Sequence, residues 1–282
     1  MLTALAGGGT GALVFAAEMH GIQLDHLAVV LGMPAEQASG VVSRWRNLGL
    51  AESARLGPGP PSVWVTRTGL AACGLPYPAG PPAPSRLAHT RAVTAVRLTL
   101  QATTAYRRAR ATWRGERGIR ASHQGGFRGS VPDGELHWPR GAAVSWAGQC
   151  WAVQAAVART TAGDTAGVMR ELLAQAGNGP SPSAARPAGP GRPERYARIL
   201  YLCSPAALPV VVQARDAQGR AGARIEIRDL PSGAVLALAP GRPPLPVAPA
   251  RPMPPLVPGR AAPPLAPGRP ARQPPGVSSV RR

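Results

Sequence analysis

Seven residues between positions 34 and 48, Gln37, Ser39, Gly40, Ser43, Arg44, Arg46 and Asn47, combine small size, hydrogen-bonding capacity and positive charge on one short stretch. Residues of this kind suit a nucleic-acid duplex. Arginines pair with phosphate or guanine, amides pair with adenine, and small residues let a backbone come close. Interleaved with them, Ala38, Val41, Val42, Trp45 and Leu48 recur at helical spacing and form one apolar stripe. The pattern predicts an amphipathic helix over 34–48. A face meant only for solvent would be filled with Glu, Gln and Arg, and Gly40 alone costs about 1 kcal/mol against Ala in a helix interior. A small bundle with a polar outer face fits the helix equally well, so its neighbours must decide.

Those neighbours have an order. A helix over 12–20 buries Leu13, Phe15 or Ala16, and Met19; a second over 24–31 turns Leu24, Leu27, Ala28 and Leu31 inward. Gly32, Met33 and Pro34 make a short turn into the third helix. Strands over 50–56 and 62–66 then flank the stiff sequence GPGPP, as a hairpin does. Arg55 and Arg67 flank the hairpin, and a short helix opens at Thr68. Three helices followed by a hairpin is the winged helix-turn-helix order, in which the third helix enters the major groove and the hairpin arginines meet phosphate or the minor groove. Trp45 and Trp64 fall in apolar patterns and are read as core. Residues 1–74 form this first domain, and the Pro-rich stretch 75–85 is its linker.

Beyond it a helix over 86–101 leads to Arg107, Arg108, Arg110, Arg114, Arg117 and Arg120, six positive charges against Glu116 alone. The run is a solvated face or a second phosphate contact. Strands are predicted over 111–121, 134–138, 150–157, 197–203 and 223–228, with helices over 165–175 and 205–215. Alternating helices and apolar strands define a second, mixed α/β domain over 86–238, interrupted by a flexible insertion at 177–194. From 239 the chain runs through four proline-rich nonapeptides that place Arg242, Arg251, Arg260 and Arg269 nine apart. Proline at that density forbids helices and ladders, so 239–282 is expected to be a disordered, extended basic tail. The tail can add weak contacts to nucleic acid or to a PxxP reader.

The chain of 282 residues has a formal net charge of +19, which points to a polyanionic partner. Every one of the 32 basic residues is arginine, so mechanisms that need a Walker, Schiff-base or nuclease lysine are excluded. Cys73, Cys150 and Cys203 are far apart and odd in number, which fits neither a disulfide framework nor a CxxC metal site and suits a reducing cytoplasm. His20, His26, His89, His123 and His137 lack ligand spacing, so no metal is expected. There is no nucleophile elbow, no GK[ST] after the glycines at 7–11 and no run of ~18 apolar residues, and no signal peptide or membrane span is expected.

From His89 the chain reads HTRAVTAVRLTL, WRGERGIRA, VPDGELHW, CWAVQAAVART and RYARILYLC. In that order it resembles the actinobacterial replication-relaxation family, whose members are often labelled winged-helix or MarR-like regulators and are associated with plasmid and mobile-element replication and transfer. The likeness spans about residues 12–230. It implies a restriction-endonuclease-like second domain, whose active site would need a helix acid, the Asp of a PD motif and a Glu-x-Glu or Glu-x-Lys strand, with metal held by the carboxylates. Glu116 and Asp133 stand at the matching places, but the strand reads Gln154-Ala155-Ala156 and the lysine position reads Thr160. The constellation Glu116, Asp133, Gln154 and Ala156 is vestigial on this reading, and Asp133 shapes a turn.

The fold class expected is therefore α/β in the α+β sense: a winged helix-turn-helix, a degenerate nuclease-like α/β domain and a disordered tail. The expected function is sequence reading on double-stranded DNA by a cytoplasmic, nucleoid-associated regulator without catalysis or cofactor, free of membrane contact and able to form a homodimer. A metal-dependent nuclease and a protein-interaction adaptor are the rival readings.

Overall fold

The computed structural model describes residues 9–122, 129–158, 160–175 and 196–231. The insertion at 177–194 and the tail at 239–282 lie outside these residues. The fold is mixed α/β.

Helix α1 (Gly9–Glu18) begins three residues earlier than its apolar spacing predicts and buries Leu13, Phe15 and Ala16. A two-residue strand β1 (Ile22–Gln23) leads into α2 (Leu24–Leu31), which has the predicted bounds. Gly32, in the left-handed region at φ 66°, ends α2 and returns its N–H to the carbonyls of Ala28 and Val29. Glycine suits that site because it carries no Cβ. Helix α3 (Ala35–Asn47) follows, then β2 (Ala51–Ala54) and β3 (Ser62–Val65). The three strands form an antiparallel sheet in the order β1-β3-β2, with Ala51 opposite Val65 and Ile22 opposite Val63.

Helix α4 (Arg67–Ala72) is capped by Thr66, whose Oγ1 accepts the Gly69 N–H at 3.1 Å and donates to the Gly49 carbonyl at 2.6 Å. A Cβ on Gly69 would lie 2.0 Å from the Leu50 carbonyl oxygen. Only glycine lets α4 close against the end of α3.

The proline-rich stretch is packed rather than free. Pro82 is buried, and Arg117 lies over the Tyr77 ring at 4.7 Å while donating to the carbonyls of Ala17 and Pro78. Helix α5 (Leu87–Ala102) then crosses to the second half of the chain, followed by α6 (Thr104–Ala109), which the sequence pattern missed. The predicted strand over 111–121 is only half a strand: β4 (Thr112–Gly115) passes directly into helix α7 (Glu116–Ser122). Glu116 in the first turn suits the helix dipole, and it pairs one turn on with Arg120 at 2.9 Å.

Strands β5 (Gly134–His137) and β6 (Cys150–Ala156), helix α8 (Ala162–Gln175), β7 (Arg198–Cys203), α9 (Leu208–Asp216) and β8 (Ile225–Asp229) complete the described residues. The second sheet has the order β4-β5-β6-β7-β8, antiparallel through β6 and parallel from β6 to β8. Side chains alternate across it. Leu136, Trp151, Val153, Leu200 and Leu202 share one core with α5 and with Leu13, Phe15 and Trp45 of the first half, while Ala152, Ile199 and Tyr201 face Met169 and Leu172 of α8.

One apolar core thus joins the two predicted domains. Polar clamps reinforce it: Arg91 of α5 pairs with Asp25 at 2.6 Å and also donates to Gln23. Arg97, 3 % exposed, pairs with Glu18 at 2.6 Å and lies 3.9 Å above the Phe15 ring.

Candidate functional site

Helix α3 divides along the line its sequence predicts. Ala38, Val42 and Trp45 are buried, and Val41 and Leu48 are partly so. Gln37, Ser39, Gly40, Ser43, Arg44, Arg46 and Asn47 are all exposed. Among the described residues nothing beyond the helix's own backbone and chain neighbours lies within 4 Å of where a Gly40 Cβ would stand, and the Ser43 hydroxyl donates to the Ser39 carbonyl at 3.0 Å, so this face is low and open. Arg44 and Arg46 occupy the last turn, where positive charge also suits the helix dipole. The acidic residue of this helix, Glu36, sits at its opposite end.

The two hairpin arginines do not sit together. Both are exposed, but Arg55 follows β2 at the tip end, whereas Arg67 opens α4 at the base, one residue beyond Thr66 and its bond to Gly49. Trp45 and Trp64 are 1 % and 7 % exposed, which makes both core residues.

The arginine run splits in the same way. Arg107, Arg108 and Arg110 are exposed on and after α6. Arg114 lies 3.4 Å from Glu135, Arg117 holds the proline-rich stretch, and Arg120 pairs with Glu116. Half of the run is tied down inside this fold.

The residues matched to a nuclease site do converge. The register that sets Gly134 against Val153 brings Asp133 beside Gln154, whose side-chain oxygen accepts the Asp133 N–H at 3.3 Å. The Glu116 N–H donates to the Asp133 carbonyl at 3.1 Å. Ala156 follows Gln154 on the same face of β6, and Thr160 bonds Thr165 at 2.7 Å.

Asp133 does more than shape a turn. It is 7 % exposed; one carboxylate oxygen lies 2.7 Å from His89 Nε2 and the other accepts the Ala155 N–H at 2.8 Å. The hydrogen bond to Asp133 raises the His89 pKa against the opposing effect of burial. Glu116 is held by Arg86 at 3.1 Å as well as by Arg120. Both acids border a cavity of about 480 Å³ between the end of α1, the proline-rich stretch, α5 and α7, which Arg86, Arg117 and His89 also line. Each of these two carboxylates is already engaged, Asp133 by His89 and Glu116 by Arg86 and Arg120.

A second cluster escaped the sequence reading. Glu135 and His137 are two apart on β5, and His137 is the cross-strand partner of Cys150 on β6, so all three side chains share one face. Linear spacing hides them because pairing across a hairpin brings them together. No disulfide joins Cys73, Cys150 or Cys203. Among the described residues no helix is long and apolar enough to cross a membrane.

The fold thus defines a mixed α/β protein with a three-stranded and a five-stranded sheet. No protein-family model, curated protein or solved structure matches the chain.

Proposed function

We propose that this protein binds double-stranded DNA through α3 and acts as a regulator of transcription, or of plasmid or mobile-element replication and transfer. The observation that carries the reading is the open face of α3, where seven small, polar or basic residues are exposed over a stripe of buried apolar ones. A helix ending in a left-handed glycine, a three-residue turn and a second helix beside a three-stranded sheet support a winged helix-turn-helix reading. Gln37, Ser39, Ser43 and Asn47 reach base edges on this reading, Arg44 and Arg46 flank them at phosphate, and Arg55 supplies a contact from the hairpin tip. Arg67, at the hairpin base, serves the backbone beside the end of α3.

The second half descends, on this proposal, from a nuclease of the restriction-endonuclease type and has lost its chemistry. Its order of helices, three antiparallel strands with α7 between the first two, helix and parallel strand suits that origin. Gln154 and Ala156 stand where two carboxylates would be needed and Thr160 stands at the lysine position, while Asp133 is engaged by His89 and the Ala155 amide. The replication-relaxation resemblance supports the same assignment.

An electrophoretic shift with random duplex DNA tests it. Binding at low salt should fall steeply as salt rises, because each neutralised phosphate releases a counterion. Arg44→Ala and Arg46→Ala should each weaken it and lower its salt slope by about 1. No shift at low salt, or one indifferent to both substitutions, overturns the proposal.

A further inference from the structure

We propose that Glu135, His137 and Cys150 form a binding site for a thiophilic divalent cation, with zinc as the best fit. A glutamate oxygen of Glu135, an imidazole nitrogen of His137 and the thiol of Cys150 lie within 4.8 Å of one another. Glu135 Oε2 stands 3.1 Å from His137 Nε2, which stands 3.9 Å from Cys150 Sγ. A tetrahedral ion with ordinary zinc bond lengths spaces nitrogen from oxygen by roughly 3.4 Å and nitrogen from sulfur by roughly 3.6 Å. The observed separations bracket those values, so small rotations would seat the ion.

The mixture of oxygen, nitrogen and sulfur donors selects the class of metal. Magnesium and calcium want oxygen alone, whereas thiolate with imidazole suits zinc. Among the described residues three ligands meet here, which leaves a fourth position for water, as in sites that are open rather than purely structural. The surroundings orient the first ligand: the Tyr196 hydroxyl donates to Glu135 Oε1 at 2.7 Å, leaving Oε2 to face His137. Arg114 approaches Oε2 at 3.4 Å but also donates to the Gly118 carbonyl at 3.3 Å, so it keeps a partner when an ion takes the oxygen. Strand pairing supports the geometry, since the ligands come from two hydrogen-bonded β-strands rather than from loops. None of the three ligands belongs to the Asp133–Gln154 pair or to the open face of α3.

Titrating the reduced full-length protein with Co²⁺ as the spectroscopic probe, then displacing it with Zn²⁺, tests the site. The wild type and Cys73→Ser should bind one equivalent with a thiolate-to-cobalt charge-transfer band. Cys150→Ser should lose that band and more than about 100-fold in affinity, and Tyr196→Phe about 10-fold, as supporting partners of metal ligands do. A measurement on the unmodified chain guards against misfolded variants: one equivalent of Zn²⁺ should shield Cys150 from alkylation while leaving Cys73 at its metal-free rate. Absence of the band in wild type, its persistence in Cys150→Ser, or unaltered alkylation of Cys150 overturns the proposal.

Discussion

Asp133→Ala should lower the melting temperature by roughly 6–20 °C, the equivalent of about 3–5 kcal/mol in a chain of this size. The substitution strands two groups at once. His89 loses the carboxylate 2.7 Å from its Nε2, and the Ala155 N–H loses its acceptor inside the sheet. A buried donor left without a partner costs about 1–3 kcal/mol by itself. Asp133→Asn keeps an acceptor for the amide and removes the charge opposite His89, so its melt should fall between alanine and wild type. The sign separates a structural role from a catalytic one. A carboxylate kept for metal chemistry sits where folding would prefer something else, and its removal tends to stabilise. Thermal unfolding of the two variants, followed by circular dichroism, checks the point; a melt unchanged or raised by Asp133→Ala contradicts it.

The second large effect is on acid stability. His26 is 2 % exposed in α2; burial, opposed by Asp25 and reinforced by Arg91, brings its pKa down to about 4. The unfolded chain takes up the proton near the ordinary value of 6.5, while the folded chain refuses it until about pH 4. The stability that neutral His26 allows is thus complete above about pH 6.5 and is lost as pH falls towards 4, by up to about 3 kcal/mol. His26→Leu removes the titrating ring and also its Nδ1, a buried atom with no hydrogen-bond partner among the described residues. The variant should gain on wild type by about 3 kcal/mol between neutral pH and about pH 4 in denaturant titrations, and parallel pH profiles would refute the assignment. His89 acts in the opposite sense. Its raised pKa gives stability that is present below 6.5 and lost as pH rises through its folded value, and both chains carry it.

Much of this was legible in the sequence because local pattern and fold agree. Helix α2 has the predicted bounds, and α3 exposes and buries the residues its period assigns. What was hidden depends on contacts distant in sequence. β1 has two residues, too few for alternation to register, and exists because β3 pairs with it. Residues 116–121 read as a continuing strand, yet among the described residues the sheet gives them no further partner and Glu116 with Arg120 supports a helix. The prolines read as a linker, but Arg117, some forty residues on, pins them through Tyr77 and Pro78. Similarly, Asp133 looked like a turn residue until the Gly134–Val153 register placed Gln154 and Ala155 against it, and only the pairing of His137 with Cys150 reveals the three-ligand cluster.

The grip of Arg91 on Asp25 and Gln23 has a mechanical consequence. The first turn of α2 is fastened to α5, whose other side rests on the five-stranded sheet, so the proposed groove-reading head has no swivel. Two copies joined through their α/β halves would present their heads at one fixed span, and a DNA target with its half-sites moved by a base pair or two would be read poorly rather than accommodated.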